Sequence, residues 1–192
     1  MKKRISILAL LVALCLGCAS DPTAPENGTV AVLLTDAPID LSTVSAVEVT
    51  LDRIVLFAED GMVEDQQGME MEQPGVAGGA GMTLNLLDYQ NGQTVLIATL
   101  EVPAGQYQKI RMYVRNAELV ETDPADGTTE IRHEITVPSS KVDVPVAFTV
   151  SGGESTEVVL DFDAALSVQV NETAGNPEYI LRPVITPTGV TG

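Results

Sequence analysis

Apolar residues recur at every second position through most of this chain, and that period restricts its architecture more than any other feature. Across residues 128–137, Ile131, His133, Ile135 and Val137 fall on one side of an extended backbone, while Glu130, Arg132, Glu134 and Thr136 fall on the other. Val142, Val144, Val146, Phe148 and Val150 repeat the pattern against Asp143, Pro145, Ala147 and Thr149. Successive side chains of a strand point to opposite faces, so this alternation predicts strands with one face buried and one in water. Val158, Leu160 and Phe162 predict another strand, residues 179–185 predict the last, and Ile110, Met112 and Val114 predict one with Arg111, Tyr113 and Arg115 turned outward. Pro145 has no amide hydrogen to offer a neighbour, which places its strand at a sheet edge. The run 44–57 is long for one strand and changes phase near Asp52 and Arg53, which predicts a bulge or a crossing between sheets. No parallel crossover helix is visible. About eight or nine strands separated by Gly, Pro, Asn and Asp turns predict an all-β fold, an antiparallel β-sandwich.

The start of the chain follows another rule. Lys2, Lys3 and Arg4 precede an apolar run from Ile5 to Leu16 that ends at Gly17 and Cys18. A basic start, about a dozen apolar residues and a small residue before a cut are the parts of a secretory signal. Roughly 20 apolar residues are needed to cross a bilayer, so residues 1–17 are expected to be removed rather than kept as a membrane helix. Residues 18–27, with Asp21, Pro22 and Pro25, read as an extended tether, residues 28–187 as a single domain and residues 188–192 as a tail. The two cysteines, Cys15 and Cys18, both lie in the targeting segment, so the domain has to fold without disulfides. A domain of about 150 residues buries roughly 68–70% of its unfolded surface, which suffices for that. Aromatics are 4% and Trp is absent, so branched aliphatic side chains must fill the core.

Gly17 followed by Cys18 resembles the lipobox of bacterial lipoproteins, although Cys15 stands where that pattern has Leu, Val or Ile. The resemblance implies that Cys18 becomes the first mature residue and carries acyl chains, two or three of which hold a protein firmly on a membrane. Ala19 and Ser20 follow, and the absence of Asp directly after the cysteine implies, by the same resemblance, transfer to an outer membrane where the cell has one. The competing reading is an ordinary cleaved signal that releases a soluble protein.

Charge limits the partners. The chain has 27 Asp and Glu against 10 Lys and Arg, for a net charge of −17. Three of the ten cations lie in the leader, which leaves Lys109 and Lys141 as the ammonium groups beside five arginines. Nucleic-acid recognition needs a basic patch that releases counterions from phosphate, so this tally argues against nucleic acid and against polyanions in general. High external salt or plain solubility each account for the acidity.

Few residues offer catalysis. His133 is the single histidine and sits in an apolar alternation, where a satisfied core group is the expected role. The chain has no Gly-x-Ser-x-Gly elbow and no Gly-rich phosphate loop. A pair of carboxylates could serve a hydrolase acting on extracellular polysaccharide, but the required separation is not a property of sequence. Calcium is the sharper binding hypothesis: Asp36 and Asp40 follow a strand, Asp161 and Asp163 share a strand face, and clustered carboxylates at a sandwich end supply hard oxygens. Turn capping is the competing role for these four. Asp123-Pro124-Ala125-Asp126-Gly127 reads first as a hairpin turn. Residues 59–81 are Gly-rich and read as a mobile loop, and Met62, Met69, Met71 and Met82 in or beside it suggest soft-metal ligands or an adaptable contact surface. Pro103, Ala104 and Gly105 are expected to form a tight turn with Gly105 at positive φ, followed by Tyr107 with its ring buried and its hydroxyl bonded to nearby backbone.

Several motifs line up in order: Leu34-Thr35-Asp36-Ala37-Pro38, Leu86-Leu87-Asp88, Pro103-Ala104-Gly105-Gln106-Tyr107 leading into Ile110-Arg111, Asp161-Phe162-Asp163, and Leu181-Arg182-Pro183-Val184-Ile185. Together they resemble the prokaryotic surface-lipoprotein family of domain of unknown function 4382, over about residues 28–187. The resemblance implies an extracytoplasmic sandwich related to transthyretin-like and carbohydrate-binding-like modules, with no established activity, and the strand pattern is expected to be immunoglobulin-like or transthyretin-like. The sequence thus predicts a non-catalytic binding or structural module, lipid-anchored at the cell envelope, on the outer membrane or cell surface. Its expected partners are the membrane through the anchor, glycans or envelope proteins, with no nucleic acid.

Overall fold

The structure is a computed structural model, and it describes residues 26–37, 44–58, 81–173 and 176–192. The leader, Cys18, most of the tether, Asp40, Met62, Met69, Met71 and residues 59–80 lie outside the described residues.

Two sheets face each other across an aliphatic core, so the all-β sandwich stands. The smaller holds β1 (Asn27–Thr35), β4 (Val95–Pro103), β8 (Ser155–Phe162) and β11 (Ile185–Thr191) in the order β11-β8-β1-β4. The larger holds β2 (Val44–Ala58), β3 (Met82–Asn85), β5 (Gly105–Thr122), β6 (Glu130–Thr136), β9 (Val168–Thr173) and β10 (Asn176–Leu181) in the order β3-β2-β5-β6-β10-β9. A further strand, β7 (Lys141–Val150), pairs with β5. The described residues therefore hold eleven strands, more than the alternation suggested. The segment expected as one final strand is two, β10 and β11, and β11 carries through most of the expected tail.

The alternation maps onto burial in β1, β7 and β8, whereas on β6 the expected inward set is only partly covered: Ile135 is buried, His133 is half-buried and Ile131 is exposed. Val30, Val32 and Leu34 of β1 and Val158, Leu160 and Phe162 of β8 are fully buried, and they meet Ile54, Leu56, Ile110, Met112 and Val144 from the other sheet. Each such side chain contributes about 1.5–3 kcal/mol relative to exposure, so aliphatic burial alone accounts for a sandwich without disulfides. Gly28, the second residue of β1, is a glycine because the backbone comes close there: a Cβ at this position would collide with the Ser151 carbonyl oxygen.

Among the described residues two pairings are parallel, β1 with β8 and β10 with β6, while the remaining ladders are antiparallel. The parallel pair brings the C-terminal ends of β1 and β8 together, with Thr35 opposite Asp161.

β5 organises the larger sheet. One edge pairs with β2 along nearly its whole length, while the other pairs first with β7, from Gly105 to Tyr113, and then with β6, from Ala117 to Thr122. The phase change near Asp52 is a pair of bulges: the ladder skips Arg115 on β5 and Asp52 on β2, and these two extra residues form an ion pair with each other. After the bulge the inward set of β2 moves from Val47, Val49 and Leu51 to Ile54 and Leu56, which leaves Arg53, Val55 and Phe57 pointing away from the core. β7, which carries Pro145, has no partner beyond β5 among the described residues and is an edge, as the proline required.

Candidate functional site

Two charged regions stand out, and they differ in kind. The first is the carboxylate group at the end of β1 and β8. Asp36 is 3% exposed: its Oδ1 accepts the Ala164 amide at 2.9 Å and its Oδ2 accepts the Gln90 side-chain amide at 3.1 Å. Burial pushes the Asp36 carboxyl above its ordinary value, the two hydrogen bonds oppose this, and the charges of Asp161 and Asp163 reinforce it. Asp161 is raised as well, by burial and then by Asp163, against a partial offset from the Ala37 amide. Its Oδ1 is buried with no hydrogen-bond partner among the described residues.

Asp163 is not on β8. The strand ends at Phe162, and Asp163 caps a single helical turn, α1 (Ala164–Ser167), by accepting the Leu166 amide at 2.8 Å. The structure thus brings Asp36, Asp161 and Asp163 together, but each of the three spends an oxygen on a backbone amide. Among the described residues no three acidic, His or Cys side chains are placed to hold a metal ion. Asp40, the fourth expected cation ligand, lies outside the described residues.

The other residues singled out in the sequence have structural surroundings. The Tyr107 ring is 3% exposed and stacks on Phe148 with centroids 5.4 Å apart, while its hydroxyl donates to the Pro103 carbonyl at 2.9 Å. Burial pushes that hydroxyl's pKa up. The Pro103–Gly105 segment is a crossing from the smaller sheet to the larger rather than a hairpin, and Gly105 has an ordinary φ with open space where a Cβ would stand. A positive φ at Gly105 is therefore corrected: the chain changes sheet there and needs no reversal. His133 is half-buried between the Glu121 carboxylate, 3.0 Å away, and the Tyr179 ring, with centroids 4.8 Å apart. Asp123 and Asp126 bind the backbone amides of their own turn between β5 and β6, where Gly127 takes a φ of 67°.

The second charged region runs against the sequence tally, which argued against polyanions in general because it averages cations over the chain and takes no account of their placement. On the outward face of the larger sheet, beyond the paired bulge, β2 presents Arg53 and Phe57, β5 presents Lys109, Arg111, Tyr113 and Arg115, and β7 presents Lys141 and Asp143. Of the seven cations outside the leader, five share this face, and among the described residues the acidic groups beside them are Asp52 and Asp143.

Rings hold the cations in place. The Arg53 guanidinium lies 4.0 Å from the Tyr113 ring centroid, the Lys109 ammonium 4.0 Å from that of Phe57, Arg111 5.0 Å from Phe57 and Lys141 5.9 Å from Tyr113. Asp143 bridges Lys109 at 3.1 Å and Arg111 at 2.5 and 2.8 Å. The Arg111 contact, against some burial and helped by Lys109, brings the Asp143 pKa down to about 2. Burial raises the Tyr113 hydroxyl, but Arg111, Arg53 and Lys141 outweigh it and hold the group below its ordinary value. Among the described residues neither Arg53 nor Lys141 pairs with a carboxylate.

On the near side of the bulge the same sheet face reverses sign. Arg132 there is surrounded by Glu48, Glu118 and Glu130 at 3.0, 3.1 and 3.5 Å. The cationic face is therefore a bounded strip on an acidic domain. The available signal for it in the sequence was the outward set Arg111, Tyr113 and Arg115; the contributions of β2 and β7 depended on register.

No curated protein and no solved structure matches this chain. A family profile matches residues 27–183, from the first residue of β1 to just beyond β10. The chain accordingly belongs to the family described as a domain of unknown function, DUF4382.

Proposed function

We propose that this protein is a lipid-anchored module of the cell envelope, held on the outer membrane or cell surface through Cys18, that binds or scaffolds and does not catalyse. The observation that carries the binding role is the outward face of β2, β5 and β7, where five cations and two aromatic rings are concentrated on a rigid sheet. Sheets with satisfied ladders present fixed arrays of side chains, and fixed arrays lower the ordering cost of binding an extended partner. The non-catalytic part of the reading is supported by the state of the acidic group: both Asp36 oxygens are engaged, and Asp163 caps a turn. Partners of this class are glycans or envelope proteins, and nucleic acid is not among them.

Two measurements test the reading. Cys18→Ser is expected to move the protein from membrane to soluble fractions, and unchanged fractionation contradicts the anchor. The released Cys18→Ser chain is then screened against glycans and envelope fractions, with expected retention of a glycan or envelope protein and no new reducing ends. Turnover of a retained polysaccharide, abolished by an Asp161 substitution, would establish the hydrolase instead.

A further inference from the structure

We propose that the outward face of β2, β5 and β7 docks an acidic polysaccharide, a linear glycan bearing carboxylate or sulfate groups. This rests on the binding-module reading above and names its ligand class.

Charge complementarity is the first argument. Arg53, Lys109, Arg111, Arg115 and Lys141 share one side of the sheet with Asp52 and Asp143, an excess of cations in a chain whose net charge is −17. A local positive field inside a negative one attracts an anion to that strip and repels it elsewhere.

The shape of the strip selects among anions. Lys109, Arg111 and Tyr113 occupy alternate positions of β5, so the unbulged row from Lys109 to Tyr113 runs about 13 Å at ~3.3 Å per residue. Its flanks across the sheet are Arg53 on β2, opposite Tyr113, and Lys141 on β7, also opposite Tyr113. Beyond the Asp52–Arg115 pair, Glu48, Glu118 and Glu130 close the strip. A narrow row with an acidic end fits one extended chain, whereas a broad anionic bilayer would bring its charge against the carboxylates too.

The rings favour a glycan over a nucleic acid. Single-stranded nucleic acid binding relies on open aromatic faces for the bases. Here the faces are covered by cations: Arg53 on Tyr113, and Lys109 with Arg111 on Phe57. The rings act as mounts that fix the direction of the guanidinium and ammonium groups. A guanidinium so held presents a planar fork of N–H donors, the match for carboxylate or sulfate oxygens. Asp143 already occupies Arg111 and Lys109 in this manner, and it acts as the internal stand-in with which a ligand anion competes.

The test uses the Cys18→Ser chain and titration calorimetry with five probes: polygalacturonate for carboxylate, dextran sulfate for sulfate, neutral dextran, double-stranded DNA and vesicles containing phosphatidylglycerol. Binding to one or both acidic glycans is expected, with affinity falling about tenfold or more for a tenfold rise in salt. The double variant Arg53→Gln with Lys141→Gln should weaken it by about tenfold. Asp143→Asn should strengthen it by about threefold, and Arg132→Gln, outside the strip, should leave it unchanged.

No binding to either acidic glycan, full retention by the double variant, or equal affinity for DNA or vesicles overturns the proposal. The binding-module reading fails separately: if the envelope screen still captures a neutral glycan or a protein, that reading survives the loss of this one, whereas capture of nothing removes both.

Discussion

The carboxylates at the end of β1 and β8 and the cations across β2, β5 and β7 are both dense in charge, yet the fold treats them oppositely. Asp36 is raised by burial and by Asp161 and Asp163, and Asp161 by burial and by Asp163, while Asp143 is lowered to about 2 by the arginine and lysine that grip it. The first group has its charges turned toward backbone amides and the second has them turned outward. Density of charge alone therefore does not locate a binding surface. What separates the two is whether the charged atoms still have capacity to meet a partner.

If that contrast is right, the two regions respond differently to substitution. The largest effect belongs to Asp36→Ala, which leaves the buried Ala164 amide without its acceptor and strands the Gln90 amide. A loss of about 2 kcal/mol in chemical denaturation is expected, with acidic-glycan binding unchanged. A variant that weakened binding as much as stability would erase the distinction between the regions.

Acid titration should show the two signs in separate windows. A raised carboxyl binds its proton more tightly in the folded state, so its effect on stability becomes less favourable as pH rises from the ordinary 3.8 through the raised value. Acidification through the raised value toward 3.8 should therefore increase the melting temperature. Asp143 is lowered, so its contribution is present above the ordinary value and is lost as pH falls toward about 2. Asp161→Asn is expected to gain about 1 kcal/mol at neutral pH by removing a poorly satisfied charge, and to flatten the first window. Asp143→Asn should flatten the second, and a melting temperature indifferent to both variants would contradict the assignment. The smallest effect is expected for Arg53→Gln, a half-exposed charge whose loss changes stability by no more than about 0.5 kcal/mol, and for Arg132→Gln, an exposed one whose loss should leave the denaturation midpoint unchanged.

The strands that alternate cleanly were legible from residues alone. Val144 to Val150 and Val158 to Phe162 are buried on the face their period indicated, and the phase change at Asp52 is a true bulge. Less was legible where the signal is not local. β4 runs through Leu96, which is 52% exposed, so its apolar residues do not keep a period of two. β3 has four residues, too few to show one. The parallel pairing of β1 with β8 leaves no mark on either strand, since it joins segments more than a hundred residues apart. That pairing is also what gathers Asp36 with Asp161, so the cluster was foreseeable as a collection of turn-end acids but not as a geometry.

The cationic face shows the same limit in sharper form. Its members come from three strands, and a tally of Lys and Arg along the chain averages them against 27 acidic residues. Burial alternation turned Arg111, Tyr113 and Arg115 outward correctly. Only the register that places Arg53 and Lys141 beside Tyr113, and Asp143 beside Arg111, turns a sparse set of cations into a strip.

The most direct measurement of where this domain meets its partner is the perturbation of backbone amide resonances in the isotope-labelled Cys18→Ser chain as polygalacturonate is added. The account predicts shifts concentrated on residues 53–57, 109–115 and 141–145, with Asp36, Asp161 and Asp163 unmoved. Shifts centred on those three carboxylates, or spread evenly over both sheets, would contradict it.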